Sequence, residues 1–443
     1  MSSFAGAPLP NGVPDVGELE TFLEEVCRRY RIPGAQLSVI GENGDLRNAV
    51  FGELESGCGM PVAGDTLFPA GSVSKTATAA LLFLLAEDGE LSLEDRVDKV
   101  MPIFRGLDSG QSRWPTFAEV LSHRGGFASN TTAEQGRHGN LSGLARSCVR
   151  EGGLVYAPGE VFSYSNLGYS VLGCIVEELY GLPWGQCSAE MLFEPMGIHT
   201  GWLAGGTGVP GPVAVGHVLG PAGAPRAVTQ SLDRAEQGAG ALTVSAAGLL
   251  EFAQKAFAQG PSEVGSHVGT ASPSSRPFGI ADDWGLGWAR FGPGLEWFGH
   301  DGTADGAWAH VRFHPATGRG VALTVNSSQG LDAWLDTAAV LCPDAQPVLG
   351  PSAPESTLPE ELGGVFRNGT DEVHVTVRES GLSFGFAGET PAQARHEGGG
   401  RFRILSERVD NPFAWGSFLQ SNPGGEWDLF QFSGRTAHRR ESR

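Results

Sequence analysis

The chain of 443 residues carries 50 acidic against 30 basic side chains, a formal net charge of −20. That field repels phosphate backbones and anionic bilayer surfaces, which excludes nucleic acid and membranes as partners and favours a small molecule, a peptide or a carrier protein. The length exceeds the usual single domain and implies one large domain plus a smaller one.

The opening MSSFAGAPLPNGVPDVGELE has neither the basic segment nor the apolar core of a secretory leader, and no later run reaches the roughly 20 apolar residues a bilayer requires. The expected location is cytoplasmic. Cys27, Cys58, Cys148, Cys174, Cys187 and Cys342 are scattered without a C-x-x-C pair or a grouping with histidines, so they read as reduced structural thiols, and no metal or other cofactor is expected.

In chain order, Asp15 caps a helix whose apolar positions Val16, Leu19, Phe22, Leu23 and Val26 recur at helical spacing. Ala35, Leu37 and Val39 then alternate with polar or small residues, and Asn43-Gly44 offers a tight turn before LRNAVFGEL, which predicts a β-hairpin. The stretch PAGSVSKTATAALLFLLAEDG predicts a helix that starts at Ser72 and ends near Gly89. Short helical signals separated by Gly and Pro follow from about 90 to 260, including a helix from Leu167 to Tyr180.

Strands return in WGLGWARF (284–291), AWAHVRFHP (307–315) and GVALTVNSS, and are expected to pair with the early hairpin in one antiparallel sheet. CPDAQPVLGPSAPESTLPEEL (342–362) reads as a linker. Beyond it EVHVTVRES, GLSFGFA, RFRILSE, AWGSFLQ and EWDLFQFSG alternate, which suggests a small antiparallel barrel or curled sheet. The expected organisation is a catalytic domain over 1–345, a linker over 346–362 and a β domain over 363–443, with α+β fold class.

The chemistry concentrates in three places. Only three of the 30 basic residues are lysines, Lys75, Lys99 and Lys255, and Lys75 stands three residues after Ser72. A lysine, unlike an arginine, can lose its proton in a buried site and take one from a neighbouring hydroxyl. Tyr164 and Asn166, in APGEVFSYSNLGYS, are two residues apart and share a face if the segment is extended. His300-Asp301-Gly302 stands where a strand is expected to begin, with Gly302 permitting close approach of a substrate backbone.

The order S-x-x-K, Y-x-N, H-x-G is far more specific than any member alone. In GSVSK (71–75), PGEVFSYSNLGYSVLG (158–173) and HDG (300–302) the chain resembles the serine β-lactamase and penicillin-binding-protein superfamily, especially its class C branch, over residues 15 to 340. The resemblance implies a β-lactamase/transpeptidase-like domain, an antiparallel sheet with a helical subdomain. It also implies Ser72 as nucleophile, Lys75 and Tyr164 as the proton-transfer pair, Asn166 as an amide-binding group, and an oxyanion hole from the N–H groups of Ser72 and Thr303. His300 replaces the lysine of the third motif. A mostly neutral imidazole anchors a carboxylate poorly, which argues against β-lactam hydrolysis.

RIPGAQLSVI, SLDRAEQGAGALTVSAAGLL, GHDGTADGAWAHVRFHP and FSGRTAHR further resemble the penicillin-binding-protein-type thioesterases, the stand-alone cyclases of nonribosomal peptide assembly. That likeness implies a lipocalin-like C-terminal barrel, a peptidyl carrier protein thioester or linear peptide ester as substrate, and release by head-to-tail macrolactam formation. Within it, Gly240 either flanks the acyl pocket or makes a turn, and Arg435 either reaches back to bound peptide or pairs with a surface acid. His123, Trp284 and Trp288 match superfamily landmarks and are expected to be structural. The alternatives are an esterase or D-aminopeptidase with water as acceptor, and a non-catalytic peptide-binding protein.

Overall fold

The computed structural model describes residues 14–132, 140–151, 153–203, 213–230, 232–258, 280–347, 362–378, 381–386, 389–408, 410–421 and 426–440. Helix α1 (Val16–Tyr30) begins with a capping box in which Asp15 and Glu18 each bond the other's backbone N–H at 2.9 Å, and it buries Leu19, Phe22, Leu23 and Val26. Strands β1 (Gly34–Ile40) and β2 (Leu46–Gly52) form the expected hairpin.

Later in the chain come β3 (Asp283–Trp284), β4 (Ala289–Phe291), β5 (Trp297–Ala304), β6 (Ala307–His314) and β7 (Arg319–Val325). The seven strands form one antiparallel sheet in the order β2-β1-β7-β6-β5-β4-β3, so the hairpin near the start lies against the last strand of this domain.

Every residue of β1 is buried, although its alternation reads as half-exposed. The reason is that both sheet faces are covered. Leu37, Val321 and Leu323 pack with α1 and with Trp334 and Ala338 of a late helix, Gly330–Leu341. Ile40, Ala322 and Val311 pack on the other face with the helical subdomain. The polar Gln36 is satisfied there, donating to Ala63 and Thr66 carbonyls and accepting from the Ala246 N–H and the Thr324 hydroxyl.

The 284–291 stretch is two short strands rather than one. Gly287 breaks it at φ 84°, where a Cβ would meet the Ala79 methyl at 2.3 Å.

In the helical subdomain, α2 (Ser74–Glu87) is apolar on nearly all sides and buried at its centre, the pattern of an internal helix. It starts two residues later than expected, because Gly71–Val73 forms a 3-10 turn leading into it and Ser72 sits on that turn. Helix α3 (Asn166–Tyr180) crosses beside it, capped by Ser165, whose side chain accepts from the Gly168 N–H.

The C-terminal part is a closed antiparallel barrel of eight strands: Gly364–Asn368, Asp371–Arg378, Gly381–Phe386, Ala392–Gly398, Arg401–Ile404, Trp415–Leu419, Leu429–Phe432 and Arg435–Arg439. The first, fourth and last were not expected. AQARHEG and RTAHR carry charged or small residues at positions that the barrel half-buries, which obscures their alternation. The interior is filled by Phe366, Phe384, Phe402, Phe418 and Phe430, with Phe402 stacked on Phe430 at 5.1 Å. Of the expected linker, residues 348–361 lie outside the described residues.

Among the described residues, hydrogen bonds fix the barrel to the catalytic domain in more than one place. At the first, the Thr436 carbonyl accepts from the Tyr156 hydroxyl, the Thr436 hydroxyl donates to the Phe162 carbonyl at 2.8 Å, and Asn368 Oδ1 accepts from the Ser129 N–H at 2.7 Å. At the second, Arg408 bonds the Tyr30 hydroxyl and Asp336 Oδ1, both at 3.0 Å. The first lies directly ahead of Tyr164.

Candidate active site

The site forms where the turn bearing Ser72 meets the edge of β5. A Cβ on Gly71, whose φ is 49°, would stand 2.3 Å from the Thr303 carbonyl oxygen. One on Gly302 would stand 2.0 Å from the Ala70 carbonyl oxygen and 3.0 Å from the Ser72 nitrogen. Only two glycines allow this approach, and it places the backbone of Ser72 beside that of Thr303. The expected role of Gly302, passage of a substrate backbone, gives way to a structural one: the chain's own backbone fills that space.

Lys75 is fully buried one turn into the structure, with Nζ 3.2 Å from Ser72 Oγ and 2.8 Å from the Ala239 carbonyl oxygen. Burial holds its pKa well below the usual lysine range, and Arg435 adds to the shift while Glu236 opposes it. The Ala239 carbonyl arrives because Gly173 and Gly238 let α3 touch the 237–240 turn, a Cβ on either glycine lying under 3 Å from the other's Cα.

The Tyr164 ring lies beside the ammonium position, 5.1 Å from Lys75 Nζ to its centroid. Burial pushes the phenol up to about 12, and its hydrogen bond to Ser72 and the charge of Arg435 only partly offset this. Tyr164 is held from behind by His123, whose ring centroid is 4.3 Å away and whose Nδ1 accepts from the Ser165 N–H. Asn166 opens α3, and its Nδ2 donates to Asn130 Oδ1 at 3.3 Å.

His300 lies in the middle of β5, not at its start, and is 2% exposed. Its Nδ1 sits 2.8 Å from the Asp301 carbonyl oxygen, which places the proton on Nδ1 and leaves the Nε2 lone pair buried without a protein partner. Burial, reinforced by Lys75, lowers its pKa to about 3, so the imidazole is neutral.

Asp301 is bound by both Arg312 nitrogens at 2.9 Å and by His310 Nδ1 at 2.7 Å, and Arg312 stacks 3.6 Å over the Phe291 ring. This buried cluster, which sequence reasoning missed, braces the strand that carries Thr303. The isolated types D, H and R gave no signal of it, because the strand register brings them together.

Two lobes meet at Ser72 and Thr303. One, about 190 Å³, is lined by Tyr164, Trp284, Phe291, His300, Phe413 and Arg435. The other, about 310 Å³, is lined by Asn166, Gln230, Leu232, Glu236 and Gly240. Gly240 ends a short helix, and a Cβ there would press on Leu232 at 3.3 Å, so it shapes this lobe rather than making a left-handed turn.

Arg435 is not a surface residue paired with an acid. It follows the tight turn Ser433-Gly434, both at positive φ (48° and 73°), through which the last barrel hairpin enters the cleft. The Gly434 carbonyl accepts from the Tyr164 N–H at 2.9 Å, the Arg435 guanidinium lies 5.4 Å from the Tyr164 ring centroid, and its Nε is buried without a partner. Trp284, expected to be structural only, also lines the first lobe. Among the described residues no cluster of His, Cys, Asp or Glu is arranged to hold a metal ion.

The Beta-lactamase family model matches residues 19–341. The chain belongs to the beta-lactamase family. Its curated relatives include penicillin-binding protein 4 of Amycolatopsis lactamdurans, 32% identical over 69% of this chain and 84% of that protein. Among solved structures, SurE is 31% identical with a TM-score of 0.79, covering 96% of this chain and 98% of SurE, and SurE has also been solved with D-Leu. The octameric penicillin-binding-protein homologue of Pyrococcus abyssi shares the fold at a TM-score of 0.63 and 21% identity, covering 96% of this chain and all of that one. The beta-lactamase domain and the barrel are thus both present in the relatives that span the chain. Similarity to SurE and to the penicillin-binding proteins makes this member a hydrolase or acyltransferase of the serine type.

Proposed function

We propose that the protein takes a peptidyl thioester from a carrier protein onto Ser72 and releases it as a head-to-tail macrolactam. In this reading Lys75, deprotonated by burial, accepts the Ser72 proton as Oγ attacks the thioester carbonyl. The N–H groups of Ser72 and Thr303 face the developing oxyanion. Collapse breaks the C–S bond, and Tyr164, which keeps its proton at neutral pH, hands it to the departing thiolate and is reprotonated from Lys75. The peptide's own amine then attacks the ester carbonyl and gives up one proton, relayed through the Tyr164 hydroxyl to Lys75, and Lys75 returns a proton to Oγ as the C–O bond breaks, so that Ser72 leaves as a hydroxyl.

In this reading the position of Tyr164 distinguishes the two lobes. The same acid and base serve the leaving thiol and the incoming amine, so both use the lobe that Tyr164 lines, while the acyl chain lies in the other with Asn166 holding an amide carbonyl. Arg435 stands ready to bond a carbonyl on the acceptor side with its free donors.

One observation carries the choice of amine over water: the barrel hairpin seats Gly434 and Arg435 on Tyr164 and, with Phe413, walls the acceptor lobe with apolar and cationic groups. Enclosure raises the effective concentration of a tethered amine and keeps water out. The similarity to SurE, a surugamide cyclase solved with D-Leu, supports a D-residue at the acyl end.

The test is incubation with a linear peptide bearing a D-residue C-terminal thioester mimic, with Ser72→Ala as control and mass spectrometry as readout. A Ser72-dependent product lighter than the linear acid by one water establishes cyclisation. Linear acid alone assigns the protein to the water-accepting esterases or D-aminopeptidases, and no acyl-enzyme at all to the peptide-binding proteins.

A further inference from the structure

The barrel is filled at its centre, yet its end facing the catalytic domain is open. There a cavity of about 320 Å³ is walled by Phe384, Phe386, Phe430 and Phe432, with Asp371 and Arg435 among its polar residues. Phe386 is 41% exposed, one of few large apolar side chains left so.

The cavity adjoins both lobes of the catalytic cleft. Ser433 and Arg435 line it and the acceptor lobe alike. Asn130 joins it to the acyl lobe, donating from Nδ2 to Asp371 Oδ2 at 3.1 Å and accepting from Asn166 at 3.3 Å. The hairpin turn before Asp371 is pressed onto the catalytic domain, where a Cβ on Gly369 would lie 2.7 Å from the Ala128 methyl. A chain leaving the acyl lobe past Asn166 therefore meets the barrel mouth before it returns to the acceptor lobe past Arg435.

We propose that the barrel mouth is a staging subsite for the amino-terminal residue of the linear peptide, an apolar side chain resting on Phe386 and Phe432 and its α-ammonium paired with Asp371. The proposal rests on the macrocyclase reading and adds the route by which the amine arrives.

Charge order supports it. Asp371 and Arg435 both line the cavity, and it is Arg435 that lies beside Tyr164, 5.4 Å from its ring centroid. A cationic amine is attracted to the first and repelled by the second, so only the neutral, nucleophilic amine proceeds to the ester. Asp371 accepts a hydrogen bond from the amide of Asn130, and its charge also acts on Arg435 across the cavity. Aromatic walls with a carboxylate suit an apolar residue bearing an ammonium.

The test uses full-length protein carrying Ser72→Ala, so that binding is read without turnover. A fluorescently labelled linear peptide acid with a free N-terminal leucine is compared with its N-acetyl and N-succinyl twins by anisotropy. The free amine is expected to bind about fivefold tighter than the acetyl form, the range of a half-exposed ion pair. Asp371→Asn is expected to erase that preference, Asp371→Lys to transfer it to the succinyl peptide, and Phe386→Ala to weaken all three.

Equal affinity for the three peptides, or a preference that survives both Asp371 variants, overturns the subsite. Failure of the macrocyclase reading looks different: active protein yields linear acid alone while the charge-dependent binding persists. Efficient cyclisation together with flat binding removes the subsite and leaves the macrocyclase reading standing.

Discussion

His300 and Asp301 are neighbours on one strand, and alternation sends their side chains to opposite faces. On one face Asp301 has every oxygen engaged, by Arg312 and His310, and stays ionised. Burial alone would push its pKa up, but Arg312 first and His310 next hold it well below the usual carboxylate range. On the other face His300 lines the cleft, its buried Nε2 is without a protein partner, and it is neutral. A carboxylate with every oxygen engaged fixes geometry, although the buried Nε2 of His310 and Nε of Arg312 around it lack partners, as His300 Nε2 does. The strand thus has a side locked through Asp301, which sets Thr303, and a side open to the cleft.

The comparison is sharpened most by breaking the open side at its centre. Ser72→Ala is expected to lower thioester turnover by about 10³-fold or more while the melting curve is unchanged, read by product formation and by loss of the acyl-enzyme mass. On the locked side, Arg312→Met leaves the Asp301 carboxylate buried with only His310 as partner and is expected to cost about 3–5 kcal/mol in urea unfolding. An unfolding curve within error of wild type would show that the cluster is not a brace.

Gly302→Ala sits between the two. A methyl 2.0 Å from the Ala70 carbonyl oxygen must push the Ser72 turn from β5, so kcat is expected to fall about 10²-fold with KM little changed. A loss confined to KM would contradict the view that this glycine sets the oxyanion donors.

Acid separates the faces further. The folded pKa of His300, about 3, lies below its unfolded value near 6.5, so between them the unfolded chain binds more protons and stability rises with pH. Stability present above about 6.5 is therefore lost progressively as pH falls toward 3, and His300→Asn is expected to flatten that part of the melting profile. Buried His123 and His310 are shifted in the same direction and keep the remaining slope. The smallest effect expected is that of His300→Asn on turnover at neutral pH, several-fold in kcat/KM, because a neutral acceptor is replaced by another.

Legibility in the sequence followed the range of the interactions. The Ser72, Lys75, Tyr164, Asn166 and His300 set stood in motifs whose spacing is set locally, by one helical turn or one extended pair, and the structure brings all five to one cleft. The long barrel strands were visible because alternation of EVHVTVR or GLSFGF is a property of neighbours. What local pattern could not show was long-range: the Asp301–Arg312–His310 cluster, the Ala239 carbonyl on Lys75, the tight approach of Gly71 and Gly302, and the barrel hairpin seated on Tyr164.

The sequence by itself determined the charge, the two-part organisation and the identities of the candidate nucleophile and its proton partners. Only the tertiary structure decided their states and their access. Lys75 is an exposed ammonium in any isolated helix and becomes a base candidate because the catalytic domain buries it and the charge of Arg435, from the barrel, adds to the shift. Arg435 is one arginine among many until a closed barrel, formed by strands far apart in the chain, turns its last hairpin into the cleft. Desolvation depends on everything that surrounds a group, and no sequence neighbourhood of Ser72 contains those surroundings.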